Sequence, residues 1–295
     1  MFRLLVGLWL AAVVVLLGGC TRLARDTGPG WTAQEVGAIG AMDVPECVAV
    51  DPATGIACVS NMVAAKPDAY WADDGTGFLS RLRPGGNLES LRWKDSTPDH
   101  PLHSPKGMCV FQNVLYVADN TRLVGYAFGD KAPAKMIQGP VGQKLNDLAT
   151  DGEAVYVSDT AAGVVYRCGT DGVRPIKAPE GVNGITFFKG RMFAVSWTLH
   201  DVYELDQTGK DIPIPFGLAA HFTNLDGIEV LDDGTFVVSD FNGHKISTIA
   251  PDRRTVRTVV TVTTPADIGL DRDRMLLYVP QFEAGRVVVY HLRKE

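Results

Sequence analysis

The chain has 295 residues, of which 46% are hydrophobic and 21% are charged, and its net charge is −6. A chain of this length buries about three quarters of its unfolded surface, so it has ample core for one large domain. The negative charge gives no long-range attraction for nucleic acid, which is therefore not an expected partner. The 31 glycines and 17 prolines indicate a fold rich in turns.

The first predicted element is a signal peptide, residues 1–19. Arg3 precedes an apolar stretch, residues 4–17, that is shorter than the ~20 residues of a membrane span. The stretch ends in LGGC, which resembles the lipobox of bacterial lipoproteins and implies acylation at Cys20. A plain secretory signal and a membrane anchor are the alternatives. We expect an exported protein, lipid-anchored on the periplasmic side of the inner or outer membrane, with residues 20–30 as a tether.

Four further cysteines lie in apolar, strand-like segments. Their even number permits disulfides in an oxidising compartment, but their spacing is irregular. We favour buried free thiols, and no CxxC spacing points to a structural zinc site. The four are Cys47, Cys58, Cys109 and Cys168.

Six related segments follow one another along the chain, among them LNDLATDGEAVYVSD and LDGIEVLDDGTFVVSD. Each has a short apolar strand, a turn and a second strand that ends in a small or polar residue. Equivalent residues at the heads of the first strands are spaced 60, 40, 37, 43 and 40 apart. A period near 40 with several strands per repeat is typical of a β-propeller. The head residues are Glu46, Lys106, Asn146, Asn183, Asp226 and Ala266.

Later strands complete each repeat, but the last repeat stops after its third strand at Glu295. The spare segment WTAQEVGAI, residues 31–39, is predicted to supply the missing outer strand. Such closure removes the open seam of the ring. The predicted fold is all-β, a single six-bladed β-propeller over residues 31–295 closed by its N-terminal strand.

The six head residues are expected to surround the central channel at one face of the propeller. They include two carboxylates and two amides, an oxygen-only set that suits a hard cation such as Ca²⁺ or Mg²⁺. The alternative is a polar plug that closes the channel through hydrogen bonds.

The sequence resembles the gluconolactonase, regucalcin and senescence-marker-protein propellers, with the paraoxonases more distant, over essentially all of residues 31–295. In that family one divalent ion is held by a Glu, two Asn and an Asp in this blade order. The resemblance implies one divalent cation, with Ca²⁺ foremost and Zn²⁺, Mn²⁺ or Mg²⁺ as alternatives. The implied ligands are Glu46, Asn146, Asn183 and Asp226.

Two lysines bear on this resemblance. Lys144 matches a cationic position that touches substrate in the family, and Asn146 is also an implied substrate contact. Lys106 departs from the family, because an ammonium beside Glu46 would neutralise it and repel a divalent ion. Lys106 is expected to bind substrate or Glu46, with the roles of catalytic acid or base and of a replacement for the metal left open.

Loops on the same face supply further candidates. His103 and His221 precede two blade heads, with His221 the preferred accessory acid or base and His103 a substrate contact. The long segment 63–77 carries Trp71, which would give apolar contact to a substrate. This segment is either a lid or a variable surface loop.

The resemblance implies a metal-dependent hydrolase of a small lactone or ester, with Asp226 as ligand and general base and Lys106 or Lys144 orienting polar groups. A non-catalytic exported propeller that binds a ligand or a protein partner is the alternative. A serine hydrolase is disfavoured, because the sequence has no GxSxG elbow.

Overall fold

A computed structural model describes residues 30–64, 69–128 and 142–295, together with the backbone of the strand at 134–137. The predicted signal peptide, Cys20 and the tether as far as residue 29 lie outside the described residues. The described strands form six four-stranded antiparallel sheets arranged as a β-propeller, which confirms the predicted fold class. No helix among the described residues is long and apolar enough to cross a membrane.

The strands are numbered in chain order. The first twelve are β1 (Trp31–Ile39), β2 (Pro45–Val50), β3 (Ala57–Asn61), β4 (Phe78–Arg83), β5 (Asn87–Asp95), β6 (Pro105–Phe111), β7 (Val114–Asp119), β8 (Arg122–Ala127), β9 (Ala134–Ile137), β10 (Leu145–Thr150), β11 (Val155–Asp159) and β12 (Val164–Gly169). The next twelve are β13 (Gly172–Lys177), β14 (Val182–Phe188), β15 (Arg191–Ser196), β16 (Val202–Leu205), β17 (Ile214–Pro215), β18 (Leu225–Val230), β19 (Phe236–Asp240), β20 (Lys245–Ile249), β21 (Val256–Thr261), β22 (Gly269–Asp271), β23 (Leu276–Gln281) and β24 (Arg286–Lys294).

Blades 1 to 5 each use four consecutive strands, starting with β2, β6, β10, β14 and β18. Blade 6 combines β22, β23 and β24 with β1 on its outer edge. The pairing of β1 with β24 runs antiparallel from Trp31 opposite Lys294 to Ile39 opposite Val287. The N-terminal strand therefore closes the ring, as predicted.

Buried apolar side chains fill the space between neighbouring sheets, because alternate residues of each strand face the next blade. Phe193 of blade 4, for example, packs edge-on against Phe236 of blade 5 with ring centroids 5.0 Å apart. The four described cysteines are free thiols, three of them buried and Cys168 half-buried. These cores hold the blades at fixed positions around the axis.

A β-bulge interrupts the first strand of each of blades 1 to 5 at its head. In blade 3, for example, the register shifts between Leu145 and Leu148, so two residues have no direct partner on β11. A buried serine of the second strand accepts a hydrogen bond from the extra N–H, as Ser158 Oγ does from Asp147 N at 2.9 Å. Ser60 and Ser239 do the same in blades 1 and 5. The bulge is therefore a built feature of the repeat.

The residue after this serine fixes the loop that leads into each head. Asp159 accepts hydrogen bonds from the backbone N–H groups of Gln143 and Lys144, at 2.8 and 3.1 Å. Asp240 accepts equivalent bonds from residues 223 and 224. These carboxylates satisfy loop N–H groups at the mouth of the channel, as Asp side chains do in Asx turns.

Candidate functional site

Each bulge places two consecutive residues at the inner end of its blade, and together they form two layers around the axis. We call the first residues the head layer, which is the set predicted from the sequence. We call the second residues the inner layer, which consists of Cys47, Gly107, Asp147, Gly184, Gly227 and Asp267.

The head layer contains buried oxygens without partners. Asn183 donates a hydrogen bond from Nδ2 to Asp226 Oδ1 at 2.9 Å, which turns its own Oδ1 away from Asp226. Asn183 Oδ1 and Glu46 Oε2 are both buried and accept no hydrogen bond. Buried polar atoms of this kind are rare and need an explanation.

The pKa values of the head-layer carboxyl groups also favour a cation site. Burial raises the pKa of Glu46 well above its usual range, the charge on Asp226 adds to this rise, and Lys106 partly offsets it. Burial and the charge on Asp147 raise the pKa of Asp226 to about 7, although the hydrogen bond from Asn183 opposes this. Two buried carboxyl groups that repel each other would both ionise readily beside a divalent cation. The free oxygens and their chemistry fit a hard cation.

The structure places Asn146 and Ala266 in the same layer. Asn146 is buried, with 8% of its surface exposed, and its side chain makes no hydrogen bond with any other described residue. It is therefore free to point its oxygen at a ligand in the channel. Ala266 is fully buried and contributes only a methyl group.

Lys106 is buried, and its ammonium is held by neighbours in blade 2. Its Nζ donates to the Ser104 carbonyl at 3.0 Å, to Ser104 Oγ at 3.3 Å and to Asn120 Oδ1 at 3.0 Å. These bonds use all three of its protons. Within the described part of the chain, no ion pair joins Lys106 to Glu46. Burial lowers the pKa of Lys106 to about 8, with the charge on Glu46 opposing the shift.

The inner layer was missed by the sequence reasoning. Asp147, Asp267 and Cys47 bring one ligand atom each to within 4.8 Å of one another. Asp147 accepts hydrogen bonds from Leu148 N at 2.6 Å and Ile185 N at 2.7 Å, so both its oxygens have partners. Burial raises its pKa to about 7. Burial and the charge on Asp147 raise the pKa of Asp267 well above its usual range.

Glycines of the inner layer explain why three blades carry no side chain here. A Cβ on Gly107 would lie 2.4 Å from the Cα of Asp147, and one on Gly227 would lie 2.5 Å from Asp267 Oδ1. The channel is therefore full at this level. In blades 2, 4 and 5 a glycine directly follows the head residue. This pattern could have marked Asp147 and Asp267, which follow the heads of blades 3 and 6, as inward-facing.

Below the inner layer lies a cavity of about 470 Å³ that opens at the opposite end of the channel from the heads. Asp147 and Asp267 lie at its inner end, and residues from the lower ends of the first strands, such as Thr150 and Thr186, line its sides. The inner layer thus separates this cavity from the head layer.

A short segment, residues 70–73, contacts blades 6 and 2, the two neighbours of blade 1. Tyr70 packs edge-on against Phe282 of blade 6 with ring centroids 5.1 Å apart. Trp71 lies over Lys106 Nζ, 3.9 Å from the ring centroid. Asn120 donates to the Ala72 carbonyl at 3.0 Å and to Asp73 at 2.7 Å. The segment is therefore fastened on both sides of Glu46, as a closed lid would be.

The remaining predicted residues lie on the same face but at different distances from the heads. Lys144 is exposed, and its Nζ lies 5.2 Å from the centroid of Trp71. His103 Nδ1 accepts a hydrogen bond from Gly75 N at 3.0 Å, which ties it to the loop after Trp71. His221 is exposed in a 3-10 helix (Ala219–His221), with no contact to Asp226 among the described residues. Their roles remain predictions.

Comparison with solved structures finds the same fold. A gluconolactonase from Xanthomonas campestris has a TM-score of 0.66 and 14% identity, with 91% of this chain and 96% of that chain covered. A putative gluconolactonase has a TM-score of 0.66 and 17% identity, with 90% and 93% covered. A catalytically inactive variant of virginiamycin B lyase from Staphylococcus aureus, solved with quinupristin, has a TM-score of 0.60 and 12% identity, with 89% and 99% covered.

The six sheets of this chain define its class, a six-bladed β-propeller, and gluconolactonase structures are among those that share its fold. At these identities they establish the fold alone. No family model and no curated protein matches the sequence. The function must therefore be argued from the residues of the channel.

Proposed function

We propose that this protein is a divalent-cation-dependent hydrolase of a small lactone or ester, with the head layer as its active site. The observation that carries the proposal is the pair of buried, unpartnered oxygens, Glu46 Oε2 and Asn183 Oδ1, next to Asp226. A polar plug would be expected to satisfy its own hydrogen bonds, and this layer does not. The gluconolactonase folds support the same reading.

Glu46, Asn146, Asn183 and Asp226 would hold the cation, with Ca²⁺ the best match to an all-oxygen set and Mg²⁺, Mn²⁺ or Zn²⁺ as alternatives. When bound, such a cation polarises a substrate carbonyl and makes water a stronger acid.

The residues of the chain supply positioning and proton transfer. Asn183 fixes Asp226 through the bond to Oδ1, and no hydrogen bond of the described residues uses Asp226 Oδ2. That oxygen can accept a proton from an attacking water as a general base. Asn146, whose side chain is unengaged, can donate a hydrogen bond to a substrate oxygen. The Tyr70–Asp73 segment above Glu46 would restrict access of bulk water.

The direct test uses the purified full-length chain and a panel of lactones and aryl esters. Hydrolysis is measured after EDTA treatment and after addition of Ca²⁺, Mg²⁺, Mn²⁺ or Zn²⁺. We expect activity to require one of these cations and to fall about 100-fold or more in Glu46→Gln and Asp226→Asn, as loss of a ligand or base implies. Asp232→Asn, at an exposed carboxylate, is the matched control and is expected to leave activity unchanged.

A chain that hydrolyses nothing in the panel, with thermal stability insensitive to all four cations, would overturn the proposal. It would favour the alternative of a non-catalytic propeller that binds a ligand or a protein. Export and acylation at Cys20 are proposed independently of the activity. They are tested by the mass of the N-terminal peptide from the membrane fraction, with Cys20→Ala as the control.

A further inference from the structure

A second ring of six equivalent residues surrounds the head layer. Each is the first residue after the second strand of its blade, and in five blades its N–H bonds to the carbonyl two residues before the head, as Phe241 does to Asn224 at 2.8 Å. We call this ring the collar. Its members are Met62, Asn120, Thr160, Trp197, Phe241 and Phe282.

The collar is apolar on the side of blades 4, 5, 6 and 1. Trp197 packs on Phe241 with ring centroids 5.3 Å apart, and Phe241 packs on Phe282 at 5.4 Å. Tyr70 extends this row, because it packs edge-on against Phe282. Phe282 also packs with Ala266, the methyl group of the head layer. Phe282 is buried, whereas Tyr70, Trp197 and Phe241 are half-buried, so an aromatic row with partly exposed rings begins at the candidate active site.

The collar is polar and cationic on the side of blades 2 and 3. Asn120 and Thr160 occupy the equivalent positions there. Lys144 lies in the loop before the head of blade 3, where it is exposed, and none of the described carboxylates forms an ion pair with it. Lys106 has all three protons engaged, so Lys144 is the ammonium that remains available for an anion.

We propose that the substrate is an ester or lactone that carries an apolar, preferably aromatic, group on one side of the scissile carbonyl and an anionic group on the other. The apolar group would lie on the row of Trp197, Phe241, Phe282 and Tyr70, and the anion would meet Lys144 beside Trp71. This inference rests on the proposed function, because it takes the head layer as the reacting centre. A neutral polyhydroxylated lactone would leave the aromatic row uncovered.

The chemistry is an ordinary hydrolysis. The oxygen of water bonds to the acyl carbon, and the bond from that carbon to the leaving oxygen breaks. One proton of the water passes to the leaving alkoxide, and the other is released to solvent as the acid product ionises. Benzoyloxyacetate, with an aromatic acyl group and an anionic leaving group, represents the proposed class. Its products are benzoate and glycolate. Benzoyloxyacetamide lacks the charge, and acetoxyacetate lacks the ring.

Hydrolysis of these three esters by the full-length chain tests the class. We expect kcat/KM for benzoyloxyacetate to exceed that of each comparison ester by about 10-fold, since one charge contact or one buried ring contributes on the order of a tenfold preference. Lys144→Gln should remove the preference for charge and leave benzoyloxyacetamide unchanged. Phe241→Leu should reduce the preference for the ring.

Binding gives a readout that does not depend on turnover. Hippurate, the amide analogue of benzoyloxyacetate, is compared by calorimetry with benzoylglycinamide and acetylglycine. We expect hippurate to bind at least about 10-fold more tightly than either. Lys189→Gln and Phe188→Leu are the matched controls, because Lys189 lies over Phe188, 4.9 Å from its centroid, on a turn outside the mouth. Neither change should alter binding.

The outcomes separate the two proposals. Cation-dependent hydrolysis of simple esters with no preference for benzoyloxyacetate, and equal binding of hippurate, benzoylglycinamide and acetylglycine, would overturn the substrate class and leave the proposed function standing. Absence of any hydrolysis, with selective hippurate binding that Lys144→Gln and Phe241→Leu weaken, would overturn the function and support the ligand class.

Discussion

The head layer and the inner layer lie one residue apart in the sequence, yet they differ in how their oxygens are satisfied. Glu46 Oε2 and Asn183 Oδ1 of the head layer are buried with no partner. Asp147 of the inner layer accepts N–H donors on both of its oxygens. Both layers contain two carboxyl groups with raised pKa values.

The difference shows that burial and negative charge alone do not define a metal site. In the inner layer, backbone donors already stabilise Asp147, and glycines in three blades leave no room for a further ligand. In the head layer the unpartnered oxygens leave coordination positions open. We therefore place the proposed cation in the head layer.

The largest effect is expected from removing a carboxylate of the head layer. Addition of Ca²⁺ should raise the Tm of the wild-type chain by several degrees, as binding only to the native state requires. Asp226→Asn should abolish this rise, whereas Asp267→Asn should retain it. Asn closely resembles a protonated Asp, the form that burial favours at position 267. Equal loss of the Ca²⁺ response in both variants would show that the two layers do not differ in cation binding.

The stability of the EDTA-treated chain should depend on pH in a direction opposite to that given by carboxylates in ion pairs. Asp147 and Asp226 have pKa values of about 7 in the folded protein, raised mainly by burial from an ordinary value near 3.8. Between these values the native state binds more protons than the unfolded state, so the free energy of unfolding falls as pH rises.

Thermal melts of the EDTA-treated chain between pH 5 and 8 check this expectation, with a decrease of several degrees in Tm predicted. Asp226→Asn should flatten the dependence, and saturating Ca²⁺ should do so by favouring the ionised carboxylates. A Tm that rises over this window would contradict the assignment of the raised pKa values.

Lys106→Met should have opposite effects on cation binding and on stability. Removal of a buried positive charge near Glu46 should tighten Ca²⁺ binding by about 5-fold, a change on the order of 1 kcal/mol. Loss of the bonds to Ser104 and Asn120 should lower the free energy of unfolding by about 1–3 kcal/mol. Calorimetric titration and denaturant melts measure the two. Weaker Ca²⁺ binding would show that Lys106 supports the site directly.

The smallest effect is expected from Cys47→Ala in the inner layer. Cys47 is fully buried, so loss of its sulfur should cost about 1 kcal/mol of stability. Cation affinity should stay within about twofold of wild type, because Cys47 is not a ligand in our assignment. A loss of affinity of about ten-fold or more, measured by titration with Ca²⁺ and with Zn²⁺, would indicate that the cation binds in the inner layer.

Much of the fold could be predicted because the repeat is visible in the chain. The six related segments and the spare strand at residues 31–39 led to a closed six-bladed propeller, which the structure confirms. The head residues were equally accessible, since a polar residue such as Asn146 stands out where an apolar strand should begin. Asp147 was not identified. Side chains alternate between the two faces of a regular strand, so the residue after Asn146 would be expected to point in the opposite direction.

The sequence by itself determined the number of blades, their closure and the residues at the heads of the first strands. These follow from local patterns that recur at a fixed period. Only the tertiary structure decided which of these side chains have partners. The bulge brings two layers to the axis, Ser104 and Asn120 occupy the protons of Lys106, and the collar places aromatic side chains on one side of the mouth. The bulge and the Lys106 bonds depend on how two strands of one blade pair, and the collar contacts join different blades, so no local pattern encodes them.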